Sequence, residues 1–577
     1  MRFVLAIVFF VLAALAMGIG IAERTVFAGP DHVSVSATSK VAAPVVVVDG
    51  SALNLYEHTQ NVQLSGSPTA FAAYGRTADV LAWVGDTNYN EVYYNDKTGK
   101  LASKFHSGDS DSVPNPAGSD MWLQQFTGGS AKNFDLKVPA SMSVIAVSDG
   151  TAAAPSTVSL RWPVDNSTPW TGPLILAGAG ALLVGLILLL WAFAHLRRAR
   201  GPRRQQPPRM PKLPRQPTYK PKRRSITTAK GRRSVRKIVA IIPMIGVATA
   251  VLVGCTPTPN PHPTAPKSAP EAAVSTKLEQ TAVSPAQLRE IMAHISGTVE
   301  TADSTFNSTL IASRMAGPAL EDRVANYTIR QKNKKIAPSV PIPAATVEVI
   351  LPQSGPTWPR SVFTVVEDKS GTTPTYTALM LVQDTPRTNY KVNDATTLQP
   401  NTTLPDLAPA SVGAPILDGN GGLLKIKPSD LALDYGDILD KDSASVSYPL
   451  FQAEGDSFRT QVGMASHKAA AKKLPSTARL SYANNNGDGR VIALATSNSG
   501  AIVAVDLNEV ETVKPVQAGA AVTATGAIAA LSGKTTSTKG IIATYGDQLL
   551  FYVPSGNSSG KIVLLGYAQG LIKAREY

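Results

Sequence analysis

The sequence predicts a multidomain membrane protein: an exported all-β sandwich, transmembrane helices, and then two tandem α+β domains, each of helices plus a curved antiparallel sheet, also exported. Three observations carry this reading. Residues 3–22 and 173–193 are charge-free apolar runs, each long enough to cross a bilayer core about 30 Å thick. Between them lie short period-two runs separated by turns. After them, helical and alternating patterns come twice in the same order. A length of 577 residues allows three or four domains, and a composition that is 44% hydrophobic and 17% charged excludes wholesale disorder.

The net charge of +14 does not describe a folded surface. Residues 197–237 hold 17 Lys or Arg and no Asp or Glu, which leaves 38 basic against 41 acidic residues elsewhere. No folded module or aromatic platform accompanies that charge, which argues against nucleic acid as a partner. The positive-inside rule instead places residues 196–237 in the cytoplasm and the folded segments outside. One cysteine, Cys255, excludes an intrachain disulfide, so the exported domains must rest on their cores.

Residues 1–24 form the first anchor. Its apolar run exceeds a usual signal-peptide core, which favours a retained anchor over a cleaved export signal with Val26-Phe27-Ala28 as the cut site. Ala14, Gly18 and Ala22 put small residues on one helical face, and Ala177, Ala181 and Gly185 do the same in the second span, 171–195. Residues 25–170 read as an antiparallel β-sandwich or open barrel, with strands at 32–37, 44–48, 61–64, 80–84, 91–94, 144–148 and 158–162. Asp109, Asp111 and Asp120, near His106, are its notable carboxylate cluster. A metal site is conceivable there, but the Gly/Ser/Pro-rich surroundings favour a solvated loop.

In the basic loop, residues 208–217 carry proline at every third position. A polyproline II helix has three residues per turn, so Arg209, Lys212 and Arg215 share one ridge. With Lys222, Arg223 and Arg224 they form a strip suited to anionic headgroups or a membrane partner, or else a solvated linker that obeys the positive-inside rule.

Arg232, Arg233, Arg236 and Lys237 then precede seventeen uncharged residues, 238–254, which end Leu252-Val253-Gly254 before Cys255. In its basic start, apolar run and Leu-x-Gly-Cys lipobox, this stretch resembles a bacterial lipoprotein signal peptide. The resemblance implies lipid attachment at Cys255, lipoprotein-processing enzymes as partners, and fragments 1–254 and 255–577. If the lipobox is unused, residues 238–255 are a third span. The Pro/Thr-rich residues 256–282 read as an extended tether.

The α+β domains occupy 283–410 and 411–577. Ser284, Pro285 and Gln287 predict a helix start with N-cap, first-turn proline and capping-box glutamine. Helical pattern runs to about residue 331, with strands at 346–351, 361–367, 376–383 and 390–397. The order recurs as helices at 429–439 and 451–474, then strands at 478–482, 491–496, 501–507, 526–531, 540–552 and 562–567. In element order this resembles tandem domains of the nuclear transport factor 2-like or cystatin-like kind. The first 230 or so residues resemble actinobacterial envelope membrane proteins without assigned activity. The features that carry this are residues 20–26, Arg161-Trp162-Pro163, Thr168-Pro169-Trp170 and the basic tail.

No reaction is named by the sequence. It holds no nucleophile elbow, phosphate loop, dinucleotide fingerprint or metal-spaced His/Cys cluster, so neither cofactor nor metal is expected. Residues 484–489 imitate the first half of a calcium loop, but the twelfth position is Ala495, which favours a hairpin turn. His294 and His467 hold similar places in the two α+β domains, with Asp430 or Asp434 as conceivable partners. Lone helical histidines read first as packing or surface residues. The whole points to a non-enzymatic protein that binds or organises glycolipid or cell-wall assembly machinery, with the cell membrane and envelope-assembly membrane proteins as partners. The alternative is a carrier or enzyme for a lipid or glycan intermediate, using pockets in the paired α+β domains.

Overall fold

The computed structural model describes residues 1–56, 58–163, 168–199, 281–343, 346–369, 371, 373–400 and 402–577. The chain divides into two compact units, one of Met1–Ala28 and Thr168–Thr276, the other of Gly29–Ser167 and Lys277–Tyr577.

In the first unit, helices Arg2–Thr25 and Thr171–Ala199 are each long and apolar enough to cross a membrane. They run antiparallel: Phe3 meets Phe193 edge-on with centroids 5.6 Å apart, while Gly20 lies against Leu174 and Ile175. The contact face keeps Gly185 of the expected small residues but otherwise differs. Ala14 and Gly18 are exposed, whereas Ala6, Ala13 and Gly20 are buried, as are Gly178, Gly185 and Ala192 on the partner helix. Both sets recur every seventh residue, the repeat that keeps one seam facing a partner along a long helix. A Cβ on Gly178 would stand 2.6 Å from Met17 Cγ, so only glycine admits the neighbouring helix there.

The second unit begins with β1 (His32–Thr38), β2 (Val45–Val48), β3 (Gln60–Ser65), β4 (Phe71–Arg76), β5 (Tyr89–Asn95), β6 (Lys100–His106), β7 (Gln124–Thr127), β8 (Asn133–Leu136), β9 (Met142–Val147) and β10 (Thr157–Pro163). They form two sheets, ordered β6-β5-β2-β9-β4-β7 and β1-β10-β3-β8. Alternation sorts the side chains. Val46, Val48, Ala72, Val144 and Ala146 face Val62, Leu64, Val158, Leu160 and Trp162 of the smaller sheet, while Val45, Val47, Phe71, Ala73, Ile145 and Val147 point the other way. That outer face is covered by helix Thr77–Val84, where a strand was expected at 80–84. Val80, Trp83 and Val84 are buried at positions i, i+3 and i+4, a helical face that a five-residue window reads as a continuous apolar strand. The sheets are mainly antiparallel, with β2 and β5 pairing in parallel.

The remaining strands are β11 (Thr346–Pro352), β12 (Arg360–Asp368), β13 (Thr375–Gln383), β14 (Lys391–Leu398), β15 (Ala478–Asn486), β16 (Ile492–Ala495), β17 (Ala501–Pro515), β18 (Val522–Thr523), β19 (Thr536–Ser537), β20 (Ile541–Val553) and β21 (Val563–Glu576). Helices-then-meander does occur twice, but the meanders are not separate sheets. They join in one nine-stranded sheet, β11-β12-β13-β14-β21-β20-β17-β15 with β16 also on β17. The joint consists of two residue pairs, Thr397 with Tyr567 and Leu398 with Gly566.

Parity again explains the layers. Val362 and Val366 of β12 pack with Leu288, Ile291, Met292 and Ile295 of helix Pro285–Thr305, whose Ser284–Gln287 capping box forms as expected. Val503, Val505 and Leu507 of β17 pack with Leu431, Tyr435 and Ile438 of helix Leu431–Lys441. The opposite residues, Phe363 and Val365 from one half and Ile502, Ala504 and Leu550 from the other, share one cluster. The two half-sheets therefore bury their inner faces together and carry helices outside. Phe363 and Ile502 are fully buried, and each large apolar side chain so placed contributes about 1.5–3 kcal/mol.

Two local expectations change. Residues 526–531, expected as a strand, lie in helix Gly526–Ser532, in which Ala527, Ile528, Ala530 and Leu531 pack on one cluster and left-handed Gly533 ends the turn. Residues 484–489 do not form a hairpin. β15 and β16 both pair antiparallel with β17, so this stretch is an excursion within one strand line. The Asp506 carboxylate pins it by accepting the Gly489 N–H at 3.1 Å, and a Cβ on Gly487 would collide with that carboxylate at 1.5 Å.

Candidate functional site

A buried polar region lies within the second unit, where residues 29–167 meet residues 277–577. It starts from an anomaly in the short helix Thr77–Val84: Asp79 sits among its buried positions at 1% exposure. A buried carboxylate must be paired. Arg76 donates its Nε to Asp79 Oδ2 at 2.7 Å, and Arg360, at the start of β12, donates Nη2 to Asp79 Oδ1 at 2.8 Å. Arg76 also donates to the carbonyls of Thr281 and Ala282, and the Arg360 guanidinium lies 3.7 Å over the Trp358 ring. Trp358 itself packs against the outer cluster of the β-sandwich.

A second arginine closes the end of the same helix. Arg387 donates to the Trp83 carbonyl at 2.8 Å, to the Val84 carbonyl at 2.6 Å and to Thr87 Oγ1 at 2.8 Å. Gly85 already ends this helix with its N–H on the Leu81 carbonyl, and the Thr87 N–H reaches the Val84 carbonyl; the distant cation adds to that C-terminal cap and supplies the Trp83 carbonyl, which has no partner within the helix. The third contact uses Asp120, expected in a solvated loop but 6% exposed. Its Oδ2 accepts from Arg314 Nη1 at 2.5 Å and from the Tyr390 N–H at 2.8 Å, while Asn389 accepts the Asp120 N–H and donates to the Gly118 carbonyl. The acid is buried with partners that lie far away in the sequence.

His294 stands at the edge of this contact, its Nδ1 3.8 Å from Asp120 Oδ1. The Asp120 carboxylate raises the imidazole pKa above its ordinary value, against burial and the Arg314 charge, with a smaller pull from Glu290. A raised pKa means that the pair's contribution is fully present below about pH 6.5 and is lost as the pH rises through the higher folded value. The histidine is 56% exposed, so the effect is small. Thermal unfolding of wild type and His294→Gln from pH 5.5 to 8.5 is expected to show a gap at the acid end that closes at the alkaline end. A constant gap would make His294 a packing residue only.

His467 is placed differently. Its Nε2 lies 2.9 Å from Glu509 Oε1 and its ring stacks on Tyr482, with neither Asp430 nor Asp434 as partner. Gln569 donates to both Glu509 and Asp547, and burial raises the Asp547 pKa far above the carboxylate range. His106 pairs with Glu91 at 2.7 Å, and Asp111 accepts from Asn88. Among the described residues no group of three His, Cys, Asp or Glu is arranged to hold a metal ion. Leu252, Val253, Gly254, Cys255, Arg209, Lys212, Arg215, Lys222, Arg223 and Arg224 lie outside the described residues.

Beside the two-pair joint of β14 and β21 is a cleft of about 530 Å³, whose polar lining includes Asp322, Asn326, Gln399, Ser457, Tyr567 and Gln569. Burial raises the Asp322 pKa, offset only in part by Ser339 and Arg323. A second cleft of about 460 Å³, containing Glu454 and Asp456, shares Gln399 and Pro400 with the first. Among the described residues, neither lining includes a lysine, arginine or histidine.

Residues 279–576 match a sequence family described as a domain of unknown function, DUF8094, over just more than half of the chain. The chain belongs to the DUF8094 family. No curated protein and no solved structure matches it. The DUF8094 region takes in both half-sheets, both clefts, and Arg314, Arg360 and Arg387. Asp79, Asp120 and helix Thr77–Val84 lie outside it, so the contact described above joins the DUF8094 region to a different part of the chain.

Proposed function

We propose that this chain is a non-enzymatic, membrane-held protein of the cell envelope that binds or organises glycolipid or cell-wall assembly machinery. Residues 25–170 and 256–577 lie outside the membrane in this reading, residues 196–237 lie in the cytoplasm, and the chain is processed at Cys255. The observation that carries it is the packed pair of apolar helices Arg2–Thr25 and Thr171–Ala199, which flank the β-sandwich in sequence and are followed by the basic loop. The test is expression of the full chain tagged at both ends, as wild type and Cys255→Ala. Membrane fractions should give two fragments for wild type, near 1–254 and 255–577, and one band for the variant. One unlipidated band in both would remove the processing step, and recovery of wild type in the soluble fraction would remove the whole reading.

A second reading is favoured by the paired clefts, in which the DUF8094 region carries a glycan intermediate. Hydroxyl groups both donate and accept, which suits a lining of amides, hydroxyls and one half-buried acid, whereas a phosphate or carboxylate ligand would require a cation. The volume is that of a small-molecule site. Calorimetric titration with neutral oligosaccharides should show binding that Asp322→Ala weakens about tenfold. Equal binding by wild type and variant would reject it.

A further inference from the structure

The contact between residues 29–167 and the DUF8094 region has the composition of an interface between partners. Arginines and their acceptors meet across it in both directions, since Arg76 of the sandwich side also donates to the Thr281 and Ala282 carbonyls. The DUF8094 side presents Arg314, Arg360 and Arg387; the sandwich side presents Asp120, Asp79 and the Trp83 and Val84 carbonyls at the end of helix Thr77–Val84. Arg360 and Asp79 are each 1% exposed, and the half-buried Trp358 packs against the apolar cluster around Trp83 and Trp122. Aromatic and arginine side chains are the residues that concentrate binding energy in protein interfaces. Apart, the two surfaces would lose the Trp358 contact with that cluster and the arginine bonds to the Trp83 and Val84 carbonyls.

From this the geometry points to a partnership that needs no covalent link: residues 29–167 are a dedicated receptor for the DUF8094 fold and hold it as a separate polypeptide once the chain is cut between them. On the proposed processing at Cys255, cleavage then yields a two-chain complex in which the DUF8094 part stays docked on the membrane protein. The recognition depends on the arginines and their acceptors and is independent of how the chain is severed.

The test separates the two ideas by cutting the chain without the lipobox. A site-specific protease sequence is placed between residues 256 and 276 of the full chain, tagged at both ends, in a Cys255→Ala background. After purification in detergent and complete cleavage, capture through the N-terminal tag should retain the C-terminal fragment, and should still do so in 0.5 M salt, because buried pairs are screened little (roughly 4 Å Debye length at that ionic strength). Asp79→Ala should speed release by on the order of a hundredfold, and Arg387→Ala should also speed it. Circular dichroism on the released fragments checks that each remains folded. Quantitative separation of folded wild-type fragments on cutting would overturn the inference, as would retention indifferent to both substitutions. Neither outcome depends on whether Cys255 is processed in the cell.

Discussion

Asp79→Ala is expected to lower the unfolding stability of the second unit by about 3–5 kcal/mol, the usual cost of stranding buried charge. The carboxylate serves two guanidiniums, Arg76 and Arg360, and Arg360 has 1% of its surface exposed, so removing the acid leaves a cation that water cannot reach. Arg360→Met should cost less, because Arg76 keeps Asp79 paired. The combination Arg76→Met, Asp79→Leu, Arg360→Met should return much of the loss, since a buried ion cluster is roughly matched by well-packed apolar residues. Chemical unfolding followed by tryptophan fluorescence reads this directly through Trp83, Trp122 and Trp358 near the contact. A single-variant loss below about 1 kcal/mol would show that the cluster is hydrated in solution.

The second large effect concerns Asp394, on β14. It is buried, accepts a hydrogen bond from Asn393 Nδ2 at 2.9 Å, and feels the charge of Asp506. Burial, the dominant cause, pushes its pKa up to about 7. The folded state therefore favours the neutral acid, and the sign follows: this group's stabilising term is fully present below about pH 4 and is lost progressively as the pH rises to about 7, above which the penalty stays constant. Asp394→Asn removes the ionisation. It should stabilise the protein at pH 8 by on the order of 4 kcal/mol relative to wild type, with the advantage vanishing near pH 4. Unfolding midpoints for both proteins across that range decide the matter, and an advantage that does not change with pH would mean the acid is not neutral in the fold.

Much of the fold was legible because it is local. The capping box at Ser284 and Gln287, the four strands between residues 346 and 398, and the two apolar spans each announce themselves within a short window. Failures came where a window was too short or a partner too distant. Helices Thr77–Val84 and Gly526–Ser532 are brief enough that two turns of apolar residues resemble a strand. The seven-residue spacing of small residues in the spans was hidden by the equally visible four-residue spacing. Asp120 looked solvated because Arg314 lies 194 residues away. One signal for the contact was present: an acid, Asp79, among the apolar positions of a short amphipathic stretch, which has no reason to be there unless a cation meets it.

The joint between the half-sheets has a mechanical side. Two rungs of backbone pairing make a spine, and the apolar layer between the inner faces sets the angle at which the halves stand, much as pages set the opening of a book. The larger cleft lies in the gutter, since Thr397, Leu398 and Tyr567 line it and also form the rungs. Whatever fills the gutter fixes the angle, and whatever changes the angle reshapes the gutter, because occupancy and opening draw on the same free energy.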